Sequence, residues 1–189
     1  MTSEEAGGSS PPSRYGFGPY SPRWLEDFDE AARRIRSLLE GEIVTVHHIG
    51  STAVPGLPAK PIIDLLPVVR DIGRVDDRAA DMVSAGYRAW GAFGLPGRRY
   101  FTRDESGVRR ENVHVFQEGN PEVVRHLTFR DYLRAHPDVR DEYARVKRAA
   151  FASHPDDIER YNDAKEGWIR RVEAEALRWR AGESRGADV

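Results

Sequence analysis

Apolar side chains along the chain follow two spacings, and the change from one to the other divides the molecule. Between residues 22 and 40 they recur at Trp24, Phe28, Ala31, Ile35, Leu38 and Leu39, the three-and-four spacing of one helix face. Ser21 offers a cap, Pro22 a first helical position and Gly41 an end. Two short runs rich in β-branched residues follow, 42–49 and 62–69, and read as strands. Pro67 cannot donate to a ladder, which places that part of its strand at an edge, a bulge or a terminus. Asp71 caps a second helix, with Ile72, Val75, Ala79, Met82 and Val83 inward and Gly86 ending it. Residues 87–90 form a short strand and 91–97 a Gly/Pro loop. Residues 98–103 and 111–116 make a hairpin turning at Ser106-Gly107. From residue 121 the spacing is helical again. One helix spans 121–135, and a second opens at Pro137 with Val139, Tyr143, Val146 and Ala150 inward. A third opens at Pro155 with Ile158, Tyr161, Trp168, Val172 and Trp179 inward. Helix, a mostly β middle and a helical last third predict an α+β fold. One domain is expected over 14–180, after a disordered tail at 1–13 and before a polar tail at 181–189.

Composition narrows this reading only slightly. The chain has 189 residues, 39% of them hydrophobic and 32% charged, with a formal net charge of -2. That length carries a single substantial core, and that charge gives no reason to expect a nucleic-acid or membrane partner. The absence of cysteine excludes disulfides, thiolate metal sites and cysteine nucleophiles. No apolar run reaches the ~18 residues of a membrane span. The first residues lack the charged-then-apolar pattern of a signal peptide, so a cytoplasmic location is expected.

The stretch HHIGSTAVPGLPAKPIIDLLPVV, residues 47–69, concentrates the candidate chemistry. Gly50, Ser51 and Thr52 form a small-residue turn of the kind that cradles phosphate. Asp64 is the single charge inside an apolar strand, where a carboxylate needs a partner. Beside a phosphate loop it suits Mg²⁺ or Mn²⁺; with His48 and His114 it would equally suit zinc. Histidine at either position also serves as a proton carrier, or as a packing residue. Lys165 interrupts the apolar stripe between Tyr161 and Trp168, Lys147 follows Tyr143 by four, and Lys60 closes the turn. These three lysines, with Arg99 and Arg130, are candidate phosphate binders.

This stretch, together with NVHVFQEGNPEVVRHLTFRDYLRAHP and DEYARVKRAAFASHPDDIERYNDAK further on, resembles the GrpB family over residues 15–175. The family is similar to nucleotidyltransferases of the polymerase-β type. The resemblance implies a mixed sheet with helices packed on it, a divalent metal, and ATP or another nucleoside triphosphate as substrate with a small-molecule acceptor. Gly50 and Ser51 match the phosphate-binding turn, and Asp64 the first metal-binding carboxylate; Lys147 and Lys165 would neutralise phosphate charge during catalysis. The superfamily places a second carboxylate two residues on, where this chain has Leu66, and a third on a later strand, here 112–116 with His114 at its middle. Transfer chemistry, a nucleotide- or phosphate-ligand-binding module like the domain appended to some dephospho-CoA kinases, and an Asp/His metalloenzyme of another class all remain open at this point.

Overall fold

In the computed structural model, residues 16–182 are described. The expected tails at 1–13 and beyond 182 lie outside them. Helix α1 (Arg23–Leu38) precedes strand β1 (Ile43–Ile49), a 3₁₀ turn (Ser51–Ala53) and strand β2 (Ile63–Val69). Helices α2 (Ile72–Asp77) and α3 (Ala79–Ser84) lead to strands β3 (Tyr87–Ala89), β4 (Arg98–Glu105) and β5 (Val108–Gln117). Helices α4 (Pro121–Ala135), α5 (Pro137–Ser153) and α6 (Ile158–Arg180) complete the fold.

The five strands order as β1-β2-β5-β4-β3. β2 runs parallel to β5, and the other neighbours are antiparallel. Alternation along each strand divides its side chains between two layers. Ile63, Leu65 and Val69 of β2, with Val113 and Val115 of β5, pack under Trp24, Ala31, Ala32 and Ile35 of α1. Leu66 and Val68, with Ile49 and Phe116, pack on the other face against Val123 and Leu127 of α4. The C-terminal helices build a further core around Tyr132, Leu133, Tyr143 and Val172. Val54 and Leu57, from the segment joining β1 to β2, plug into it. That segment is thereby held between the sheet and the helices.

Several expected boundaries shift for local reasons. The first helix starts at Arg23, and Ser21 contributes its carbonyl to Trp24 N–H rather than a side-chain cap. The helix after Asp71 breaks at Arg78 into α2 and α3. The break turns Val83 outward, so that it is 54% exposed instead of inward. Pro67 lies in an interior strand: β2 pairs with β5 at Ile63–Leu65 and again at Val68–Val69, and the ladder is interrupted opposite the proline. Pro155 does not open the last helix; Asp157 caps it by accepting from Arg160 N–H. Trp179 lies on its exposed side, against Tyr132 and His136. At the hairpin, Ser106 and Gly107 both carry positive φ, as the two-residue turn between paired Glu105 and Val108 requires.

Under α1, Glu111 is only 4% exposed. Its Oε1 accepts from Arg34 at 2.5 Å and Arg103 at 3.1 Å, and its Oε2 accepts from the Tyr87 hydroxyl at 2.5 Å. Removing one member of such a buried set strands the others' charges. Glu111→Ala is expected to destabilise the protein by about 3 kcal/mol, measured by urea denaturation.

Candidate functional site

Between β1 and β2 the chain must turn within hydrogen-bonding distance of its own next strand. Gly50 makes this turn with φ 71, a left-handed conformation that favours glycine. A Cβ at this position would meet Asp64 Oδ2 at 2.2 Å. The carboxylate of Asp64 therefore rests directly against the glycine, on the face opposite α1. Asp64 pairs across the parallel ladder with Asn112, whose Nδ2 donates to Asp64 Oδ1 at 2.8 Å. Asn112 Oδ1 in turn accepts from the Tyr100 hydroxyl at 2.9 Å and from Arg109 at 3.2 Å.

A pocket of about 260 Å³ opens over this carboxylate. Ser51, Thr52 and Lys60 reach it from the β1–β2 segment, Lys147 from α5, and Tyr161 and Lys165 from α6. The ammonium groups of Lys60 and Lys165 lie 3.6 and 3.8 Å from the centroid of the Tyr161 ring, in cation–π contact. Lys165 also donates to Asn162 at 3.2 Å. Lys147 is 2% exposed, between the rings of Tyr143 and Phe17. Burial, reinforced by Lys165, lowers Lys60 to about 7. Burial lowers Lys165 to about 8 against the pull of Asp64, and it holds Lys147 well below the usual lysine range. Three lysines removed from water beside one carboxylate make a site whose ammonium forms a bound anion would favour.

The structure thus brings together Gly50, Ser51, Thr52, Lys60, Asp64, Lys147 and Lys165. The Ser51 hydroxyl lies beside the buried phenol of Tyr143, whose ionisation burial opposes. The Thr52 hydroxyl is engaged, donating to Ile62 O at 3.2 Å. His48 Nε2 must then donate to it, at 3.0 Å. His48 lies on the α1 face, stacked 4.6 Å from Phe28 and paired with Leu65. Burial pushes it down to about 4. It is therefore no ligand partner for Asp64, and the Asp64–His48–His114 set does not form. His114 does adjoin Asp64, with Nε2 3.9 Å from Oδ1; its Nδ1 is buried without a hydrogen-bond partner. Among the described residues no group of three His, Asp or Glu side chains could hold a metal. Two arginines also leave the candidate set. Arg99 points to the opposite face and pairs with Asp76. Arg130 donates to His48 O at 2.9 Å and, with Arg134 on Ala53 O, clamps the turn from behind.

Asn112, Tyr100, Arg109, Tyr161 and Asn162 are site residues that the sequence reading passed over. The four-residue spacing of Tyr161 and Lys165 could have flagged the tyrosine. Asn112 was hidden because its place beside Asp64 depends on a parallel pairing of segments 48 residues apart.

Comparison with known proteins now bears on this geometry. The family described as GrpB protein matches residues 17–175. The chain belongs to the GrpB family. UPF0157 protein YqkA of Bacillus subtilis (strain 168) is 45% identical over 163 residues, covering 86% of this chain and 47% of that protein. A dephospho-CoA kinase of Mycobacterium leprae is 32% identical over 192 residues, 87% of this chain and 47% of that protein. The chain spans about half the length of each. The crystal structure of conserved protein GrpB from Enterococcus faecalis superposes with a TM-score of 0.82 at 40% identity, covering 86% of this chain and 98% of that one. Cid1 in complex with its short product ApU superposes at 0.50 with 12% identity, covering 72% and 43%. That likeness shows the fold, which is α+β and nucleotidyltransferase-like, as expected. Within it, this GrpB chain has Leu66 fully buried where a second carboxylate was looked for, and an amide, Asn112, beside the first.

The contact between Gly50 and Asp64 generates a direct test. Gly50→Ala is expected to destabilise by roughly 1–3 kcal/mol, from the forced φ and the collision together. Combined with Asp64→Ala it should cost less than the sum of the two changes, because the collision is gone. Urea denaturation of the four proteins measures the difference.

Proposed function

We propose that the pocket binds a nucleoside triphosphate and, with one divalent ion at Asp64, transfers its nucleotidyl group to a small-molecule acceptor. The observation that carries this reading is the convergence of Lys60, Lys147, Lys165 and Ser51 on a single carboxylate in one pocket. A polyphosphate supplies the negative charge that these buried lysines lack. Asp64 with phosphate oxygens and water suits Mg²⁺ or Mn²⁺; zinc, which takes three protein ligands at a catalytic site, does not fit once His48 is on the other face. Asp64 would hold such an ion, which would supply positive charge to offset that of the phosphates. Asn112 and Gly50 hold the carboxylate in place; Lys60 and Lys165, steadied on Tyr161, neutralise the departing pyrophosphate. The pocket volume and the net charge of -2 favour a small acceptor over a nucleic acid, and a cytoplasmic setting would supply the triphosphate. Among the described residues no helix is long and apolar enough to cross a membrane.

A second reading is favoured by Leu66 and Asn112. With neither position acidic, the site would hold a phosphorylated ligand without transferring it, consistent with this chain's similarity to half of a dephospho-CoA kinase. Pyrophosphate release, measured with each nucleoside triphosphate and Mg²⁺ or Mn²⁺ across an acceptor panel, separates the two. Transfer predicts release that falls at least 100-fold in Asp64→Ala with the fold retained. Nucleotide binding without release across the whole panel would select the second reading, and normal turnover in Asp64→Ala would remove the carboxylate from the chemistry.

Both readings predict a pH dependence. Lys60 and Lys165, at about 7 and about 8 in the free protein, must be protonated to hold phosphate, and bound phosphate raises both. Nucleotide affinity should therefore fall at least about tenfold between pH 7 and pH 9, as measured by calorimetry. Lys165→Met should weaken binding at pH 7 and flatten that dependence.

A further inference from the structure

Beyond Asp64, across β5 and β4, an aromatic row continues along the same face of the sheet. Tyr100 of β4 lines the pocket and donates its hydroxyl to Asn112. Phe93 stacks on Tyr100 with centroids 5.4 Å apart and planes 24° apart. Trp90 lies 5.4 Å from Phe93 and is anchored by its indole N–H, which donates to Thr102 at 2.8 Å. Phe93 is not a core residue, being 55% exposed. Its backbone is unusual as well. Leu95 N–H bonds to Ala92 O at 3.1 Å, closing a four-residue turn whose central residues, Phe93 and Gly94, have φ of 44 and 78. Such turns take Gly, Asn or Asp at the first central position, and a bulky side chain there is strained. The loop is also pinned, because Arg98 donates to Ala92 O at 3.1 Å and to Phe93 O at 2.5 Å. An aromatic ring is thus held outward, against both its conformational preference and its hydrophobicity, next to a pocket wall.

Arg88 covers the Trp90 ring at 3.9 Å, and His114 and Arg98 flank Tyr100, so Phe93 offers the exposed ring; we infer that Phe93, backed by Tyr100 and Trp90, forms a subsite that stacks a planar aromatic ring of the acceptor. This assignment rests on the proposed transfer reading for one step: in-line displacement puts the acceptor opposite the leaving pyrophosphate. The lysines come from the β1–β2 segment and from α5 and α6, whereas Asp64, Asn112 and Tyr100 lie on the successive strands β2, β5 and β4 and Phe93 stacks on Tyr100, so a pyrophosphate on the lysines leaves the β4 end to the acceptor. Ring stacking on an exposed aromatic is tolerant of substituents and selects planar, unsaturated ligands.

Ligand-observed NMR with indole and quinoline, against piperidine and cyclohexanol as saturated controls, tests the subsite on the nucleotide-free protein. Its failure is therefore separable from failure of nucleotide transfer. Expected are binding of the planar probes alone, a loss of at least about tenfold in Phe93→Gly, and retention in Phe93→Tyr. Binding should persist in saturating ATP, as an acceptor site requires. Phe93→Gly should melt at or above the parent temperature, because the strain is relieved. Equal probe binding by Phe93→Gly, displacement of the probes by ATP, or a lowered melting temperature marking Phe93 as packing would each overturn the inference.

Discussion

The contact of the Asp64 carboxylate with the Cα of Gly50 sets the geometry on which the rest of the site depends. A strand and the turn preceding it can come this close only where one of them has no side chain, and the 2.2 Å approach of a hypothetical Cβ shows how little room there is. With the turn seated on the carboxylate, Ser51 reaches Tyr143 of α5. Val54 and Leu57 then fall into the helical core. The arginines of α4 close the arrangement by taking the turn's carbonyl oxygens. Strand, turn and helices are thus locked through a single glycine.

The same lock explains how this site departs from a set of several acids. Position 66 faces the same side of the sheet as Asp64, but α4 covers it, and Leu66 packs with Ile49, Val68 and Phe116. A carboxylate there would enter an apolar layer with no partner. Asn112, by contrast, is a donor toward Asp64 and an acceptor toward Tyr100 and Arg109. An aspartate in its place would face Asp64 with like charge. Where carboxylates are few, lysines are many, and on the proposed reading the pocket would exchange metal-holding capacity for direct neutralisation of phosphate.

Much of this was legible from residue order alone. The helix and strand spacings located every strand and most of the helices, because those segments alternate against buried layers; the break at Arg78 and the start of the last helix at Ile158 were not read. The charges Asp64, Lys147 and Lys165 stood out against their apolar neighbours, and Lys60 by its place at the turn. The face of His48 was legible in principle, since alternation puts it opposite His47 and Ile49; what hid its role was the Thr52 hydroxyl that engages it. Arg99 and Arg130 were misread for a different reason. An arginine's long side chain takes its partner from tertiary neighbours, here Asp76 and a backbone carbonyl, and no local pattern encodes that choice. The strand partnership of Asp64 and Asn112 depends on a parallel crossover and is non-local in the same sense.

The three buried lysines have a consequence for the protein's lifetime. Their desolvation is a cost of the native state, so an anion that fits would lift a burden that the unfolded chain never bears. The native population then scales with ligand concentration over its dissociation constant, and proteases that sample the unfolded state see less of it. For an anion that binds as proposed, the abundance of the chain would follow the concentration of its ligand.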